Sequence, residues 1–157
     1  MSNRKLVIVP CGSAKVWDRY PDAGPVMAKD AYVGSPFKVN RKYAEAIGDR
    51  WVILSAKYGF IKPDFTIREP YEVTFNRKSS GPITDEALKK QMRAMRLSQY
   101  SEVIGLGGAE YRKRIERVFE DTAVNLNFPF AGLAIGKAMQ AINQEIESQQ
   151  TAGSRSG

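Results

Sequence analysis

Three separated stretches of this chain share one design: an apolar run that breaks into a turn bearing glycine, serine or lysine. They are Leu6-Val7-Ile8-Val9-Pro10-Cys11-Gly12-Ser13-Ala14-Lys15, Trp51-Val52-Ile53-Leu54-Ser55-Ala56-Lys57-Tyr58-Gly59 and Val103-Ile104-Gly105-Leu106-Gly107-Gly108. A run of about four apolar residues closed by a breaker suits a strand that is covered on both faces. Parallel strands covered by helices end at one edge of their sheet, and ligands bind in the crevice outside those ends. The three turns are therefore expected to meet at one site.

Between these runs the pattern alternates with helical segments. Strands are predicted over 4–10, 51–55 and 102–106, and a fourth, half-buried edge strand over Ala123-Val124-Asn125-Leu126. A helix follows Ser35 as N-cap, with Pro36 at its first position and Gly48 at its end. Others run from near Thr84 to about Leu97, from Ala109 to Glu120, and from near Gly132 to about Ser148. This alternation predicts a three-layer α/β/α fold around a mostly parallel sheet of about four strands. A single domain over residues 1–148 is expected, with 149–157 as a disordered tail. Two connections, 11–34 and 56–82, read as long and mostly irregular. Connections of that kind in a compact domain are usually functional. Both leave the carboxyl ends of strands.

Composition narrows the chemistry. The chain has no histidine and one cysteine, Cys11. Histidine is thus excluded as base, shuttle or metal ligand, and so are zinc sites and serine–histidine or cysteine–histidine nucleophiles. No metal and no cofactor are expected. The lone cysteine suits a reducing compartment. No apolar run approaches the roughly 20 residues that span a bilayer, and the first one, ending at Pro10, is short for a signal peptide. A cytoplasmic protein that avoids membranes is expected, and a monomer. The 24 Lys and Arg against 17 Asp and Glu give a net charge of +7. This reads either as simple solubility or as attraction to a polyanion, DNA first. The clusters Arg112-Lys113-Arg114 with Arg117, and Lys89-Lys90 with Arg93 and Arg96, are solvated helix faces on the plainer reading.

The turns supply the candidate site. Gly12 lets a ligand approach the backbone, and Ser13 and Lys15 can contact a phosphate or a polar base edge; the alternative is a tight turn with a solvent-facing lysine. Cys11 is either a small buried hydrophobe or a nucleophile activated by Lys15 or Lys57. Asp30-Ala31-Tyr32-Val33-Gly34-Ser35-Pro36-Phe37 places a carboxylate and a phenol before a helix N-terminus. Asp30 can position water there, and Tyr32 or Phe37 can stack on a planar base, unless they are only a capping carboxylate and core rings. Ser55, Lys57 and Tyr58 bring a hydroxyl, a cation and a phenol to the second turn. Glu69 and Glu72 are reserve acid–base groups. Gly107-Gly108 opens a helix whose free amides can hold an anion, and Tyr111 faces the crevice from its first turn.

Taken together, Pro-Cys-Gly-Ser-x-Lys, Asp-x-Tyr-x-Gly-Ser-x-Phe, Ser-Ala-Lys-Tyr-Gly-Phe and Gly-Leu-Gly-Gly-x-x-Tyr resemble an uncharacterised bacterial and phage family. It lies near the YaaA-like proteins and, more distantly, the uracil-DNA glycosylase-like fold. The resemblance implies a nucleobase pocket. It also implies that Asp30-Ala31-Tyr32 stands where those glycosylases place a water-activating Asp-Pro-Tyr-His element, with Phe37 as the base-stacking ring. This chain departs from that element in lacking the proline and the histidine, so Lys57 or a backbone amide would stabilise the departing base. The leading expectation is a DNA base N-glycosylase for an unusual base, with Asp30, Lys57 and Tyr32 catalytic. The base would be flipped into the crevice. The alternatives are a non-catalytic DNA- or nucleotide-binding protein and an enzyme acting on free nucleosides.

Overall fold

The computed structural model describes residues 4–155. In chain order these form β1 (Lys5–Pro10), α1 (Val16–Arg19), β2 (Val26–Met27), α2 (Ala28–Ala31), α3 (Ser35–Ile47), β3 (Arg50–Ser55), β4 (Gly59–Ile61) and β5 (Thr66–Ile67). There follow α4 (Asp85–Ala94), β6 (Glu102–Gly105), α5 (Ala109–Val118), β7 (Asn125–Asn127) and α6 (Ile135–Arg155). The fold is mixed α/β, with a mostly parallel five-stranded sheet in the order β4-β3-β1-β6-β7. Strand β1 lies at its centre and pairs in parallel with β3 (Ile8 opposite Val52) and with β6 (Leu6 opposite Val103).

The three apolar runs form the three central strands because both of their faces are covered. Along β1, Leu6 and Ile8 belong to one apolar cluster, with Leu88 and Met92 of α4 and Ile115 and Val118 of α5. Val7 and Val9 belong to another, with Tyr43 and Ala44 of α3 and Ile142 and Ile146 of α6. All four β1 side chains are fully buried, and each such burial stabilises the fold by about 1.5–3 kcal/mol. Helix α3 ends at Gly48, as the sequence predicts, while Pro36 is its second residue rather than its first. Thr84 caps α4, its hydroxyl accepting from the Ala87 N–H at 3.1 Å.

The connections hold more structure than their composition predicts. Residues 59–61 add an antiparallel edge strand to β3, with Ser55 opposite Gly59. Glycine is needed at position 59, where φ is +76° and a Cβ would lie 2.0 Å from the Gln91 Oε1. Segments of the two long connections pair with each other as a small sheet, Val26 opposite Ile67. The chain also bridges from Lys15 to Tyr32. The last strand begins at Asn125, where its pairing with Glu102 begins, rather than at Ala123. The last helix begins at Ile135, after Gly132 at φ +85°, and continues past Ser148 into the segment expected as a tail. Residues 156–157 of that segment lie outside the described residues. Among the described residues no helix is long and apolar enough to cross a membrane.

Candidate functional site

The carboxyl ends of β1, β3 and β6 lie side by side, so the three turns come together. Cys11 N–H donates to the Leu54 carbonyl at 3.1 Å, and Leu106 N–H to the Ile8 carbonyl at 3.0 Å. The junction is held by hydroxyls and a thiol. Ser55, fully buried, accepts the Lys57 and Tyr58 N–H groups, each at 3.2 Å. With both lone pairs of its oxygen so occupied, its own proton is free for the Tyr71 hydroxyl, 3.0 Å away. Tyr71 and Tyr32 bond through their hydroxyls. On the other side of the junction, the Tyr111 hydroxyl lies 3.4 Å from the Cys11 Sγ and donates to the Cys11 carbonyl at 3.3 Å.

Burial pushes Tyr32, Tyr71 and Tyr111 well above the ordinary phenol range. For Tyr71 and Tyr111 the neighbouring Cys11 adds to the rise, and for Tyr32 the neighbouring Tyr71 does. All three phenols are therefore neutral at physiological pH and able to donate a hydrogen bond. Two lysines lie over the Tyr71 ring, Lys15 Nζ at 4.5 Å and Lys57 Nζ at 5.7 Å from its centroid. They bring positive charge beside neutral rings.

Two cavities adjoin at this edge, and Cys11 and Tyr111 line both. The smaller, about 340 Å³, is polar: Ser13, Lys15, Asp18, Tyr71, Glu72 and Thr74 contribute to it. The larger, about 600 Å³, is mainly apolar, with Leu106, Phe130, Leu133 and Ile142 among its walls. Besides Cys11 and Tyr111, its polar groups include Asn40 of α3, Arg112 of α5 and the backbone of Gly107-Gly108-Ala109. Gly107 has φ +107°, and a Cβ there would lie 2.9 Å from the Pro10 Cγ. Only glycine therefore lets β6 hand over to α5 this close to β1.

The expected site residues divide. Cys11, Gly12, Ser13, Lys15 and Tyr111 line the smaller cavity; Cys11, Gly107, Gly108 and Tyr111 line the larger. Ser55 lies behind Tyr71, and Tyr58, half-buried, packs against Tyr71 and Phe65. Lys57 is exposed, with its Nζ 5.2 Å from the Tyr58 centroid. Tyr32 and Phe37 are core rings whose centroids lie 5.1 Å apart. Ser35 is exposed as the first residue of α3, and Gly34, not Ser35, is the N-cap. Asp30 lines neither cavity: its side chain is 57% exposed and pairs with Arg41 at 3.4 Å. Glu69 is exposed and lines neither, whereas Glu72 lines the smaller one.

Asn40 is a residue that the sequence reading missed. It sits on the buried stripe of α3 with Phe37, Tyr43 and Ala44, and an amide on an apolar stripe is the signal that could have found it. Tyr71, Asp18 and Arg112 were missed as well. Half of the basic residues in the two clusters stand within ion-pair distance of a carboxylate: Lys89 with Glu120 at 3.0 Å, Arg114 with Glu110 at 2.9 Å, Arg117 with Asp85, and Arg112 with Glu116 at 3.7 Å. Among the described residues no group of three or more histidine, cysteine or carboxylate side chains could hold a metal ion.

Comparison with known proteins gives three likenesses. The model of a "Family of unknown function (DUF6884)" matches residues 6–144. The "Uncharacterized protein YfjM" of Bacillus subtilis (strain 168) is 37% identical over 147 residues, covering 93% of this chain and 97% of that protein. The solved structure of AF0587, described as a protein of unknown function, shares 15% identity at a TM-score of 0.46. That alignment covers 91% of this chain and 44% of the other, so the chain spans less than half of its length.

Proposed function

This chain belongs to the DUF6884 family, and we propose that it recognises a nucleobase-bearing ligand at the carboxyl edge of its parallel strands. The larger cavity carries this reading. Its volume of about 600 Å³ falls within the roughly 300–1,000 Å³ of small-molecule sites. Apolar walls suit the faces of a flat heterocycle. The Asn40 amide offers a donor and an acceptor together, the pattern a base edge needs. No protein group hydrogen-bonds that amide among the described residues, although Asn40 is only 8% exposed. The test is equilibrium titration of the intact protein with free bases, nucleosides and deoxynucleosides. At least one should bind, and Asn40→Leu should weaken it about tenfold or more. Silence across the whole panel at millimolar ligand would sink the reading.

A second reading, DNA base N-glycosylase, is favoured by the smaller cavity. Glu72 and Asp18 both line it beside Lys15, and the Asp18 carboxylate accepts the Lys15 backbone N–H at 2.8 Å. Here Glu72, not Asp30, would take the proton from a water attacking the sugar C1′. The C1′–N bond would break, and the departing base would receive a proton from the Lys15 ammonium. The net charge of +7 would draw DNA to the protein, which this reading takes to be a cytoplasmic monomer. Apolar clusters on both faces of β1 support a three-layer arrangement like that of the uracil-DNA glycosylase-like group and the YaaA-like proteins. Incubation with DNAs carrying different modified bases, followed by alkaline cleavage, should expose abasic sites, and Glu72→Gln should abolish them. An unmodified yield in that variant removes the mechanism.

A further inference from the structure

We infer that the ligand of the larger cavity carries a terminal phosphate monoester, seated on the N-terminal turn of α5 beside Arg112. This deepens the nucleobase reading and rests on it for the rest of the ligand, which becomes a nucleoside monophosphate. Helix α5 runs from Ala109 to Val118 with Gly108 as its N-cap, and no side chain caps it. The Tyr111 and Arg112 N–H groups both donate to the Gly108 carbonyl at 3.1 Å. This leaves the N–H groups of Gly108, Ala109 and Glu110 without an intrahelical acceptor, and the helix dipole makes that end positive. Gly107, Gly108 and Ala109 all line the cavity, so the helix end opens into it. At Gly108 nothing lies within 4 Å of where a Cβ would stand, which leaves an oxyanion room to reach the backbone.

A helix end is a common feature, and Asn40 is what makes this one part of a site. Asn40 comes from a different element, lines the same cavity and is 8% exposed, with no hydrogen-bond partner among the described residues. Yet no unpartnered side-chain polar atom among the described residues is sealed from solvent. Its amide therefore still reaches solvent, and since Asn40 lines the cavity, a ligand seated there can supply the partner that the protein does not.

The surrounding charge suits an anion. Arg112 lines the cavity, its side chain 33% exposed, and its Nε is 3.7 Å from the Glu116 Oε1. That is beyond hydrogen-bond length, so the guanidinium keeps its donors for a phosphate, which it can grip with two parallel bonds. Glu110, the carboxylate that would repel an anion from this turn, is paired with Arg114 at 2.9 Å. A monoester carries about −1.5 to −2 charge and three acceptor oxygens, enough to engage amides and the arginine at once. A phosphodiester has one charge and two free oxygens.

The experiment titrates the intact protein with each common nucleoside, its 5′-monophosphate, and a dinucleotide whose phosphate is a diester. The monophosphate should bind about tenfold or more tighter than its nucleoside, with the diester in between. Gly108→Asp lays a carboxylate over the same amides. Aspartate is a favoured N-cap, so the thermal midpoint should hold or rise while the monophosphate's advantage disappears. Arg112→Gln should cut that advantage about fivefold without altering nucleoside affinity. Equal affinity for nucleoside and monophosphate would overturn the phosphate site and leave the nucleobase reading standing. So would an advantage that survives both variants. If no nucleoside binds, inorganic phosphate is titrated against chloride at equal ionic strength while the backbone amide resonances of 107–112 are followed. Movement of those resonances would sustain the anion site without the base, and their silence would end both.

Discussion

Ser55→Ala is the substitution that most directly tests how the three turns are held together. The Ser55 hydroxyl is fully buried and has three partners: the Lys57 and Tyr58 N–H groups at 3.2 Å and the Tyr71 hydroxyl at 3.0 Å. Alanine removes a single oxygen, opens almost no cavity, and strips all three of that partner. At a net ~0.5–1.5 kcal/mol for each bond, the loss should total about 2–4 kcal/mol. That is a large share of the ~5–15 kcal/mol that holds a typical domain together, and it corresponds to a thermal midpoint lowered by about 5–15 °C at this size. Urea unfolding followed by the fluorescence of Trp17, which is buried in the core, reads the change as a shifted midpoint at unchanged slope. A double-mutant cycle with Tyr71→Phe divides the loss, because only the hydroxyl–hydroxyl contact is shared by the two substitutions. The coupling should be ~1 kcal/mol, with the remainder belonging to the two amides. A loss below about 0.5 kcal/mol, or a coupling as large as the whole loss, would show that Ser55 does not hold this turn.

Asp30→Asn should leave nucleobase affinity within about twofold, since its pair with Arg41 is solvated and such pairs contribute only ~0–1 kcal/mol. A tenfold loss in the same titration would mean that Asp30 reaches the ligand after all. Stability should also fall in alkali. Tyr32, Tyr71 and Tyr111 lie well above the ordinary phenol range and Tyr43 is pushed up to about 12, chiefly by burial. Below about pH 10 both states keep these protons. Above it the unfolded phenols ionise first, the unfolded state binds fewer protons, and stability drops by up to ~1.4 kcal/mol per pH unit for each such tyrosine. Tyr43 stops contributing to the slope as pH passes about 12. Urea midpoints that stay level from about pH 9 to pH 11 would show that these hydroxyls are not buried as described.

The central strands were legible because burial on both faces removes the ambiguity of periodicity: Leu6 through Val9 are all apolar, and all are fully buried. The Thr84 cap and the Gly48 end were legible for a local reason, since each acts within one turn of where it stands, although the start of α3 lies one residue earlier, with Gly34 and not Ser35 as its cap. The short strands were not. Gly59-Phe60-Ile61 carries no period of its own, and the pairing of Val26 with Ile67 joins two connections that are far apart in sequence. Nothing local in either connection records that partnership.

Asp30 shows how a local motif can mislead about a site. The sequence sets Asp30 and Tyr32 two residues apart, and in an extended loop both would face one side. The chain instead makes one helical turn there, α2, with Ala28 and Ala31 fully buried and Asp30 exposed. Tyr32 follows in extended backbone and turns inward to Tyr71. The phenol thus joins the hydroxyl network behind the smaller cavity, while the carboxylate goes to solvent and to Arg41. Convergence of strand ends could be inferred from periodicity, because it depends on the sheet alone. Which side chains line the cavities depends on single turns such as α2, and on a polar residue such as Asn40 placed on an otherwise apolar helix face. The first is a property of many residues acting together. The second turns on about 100° of rotation per residue, which a loop reading does not supply.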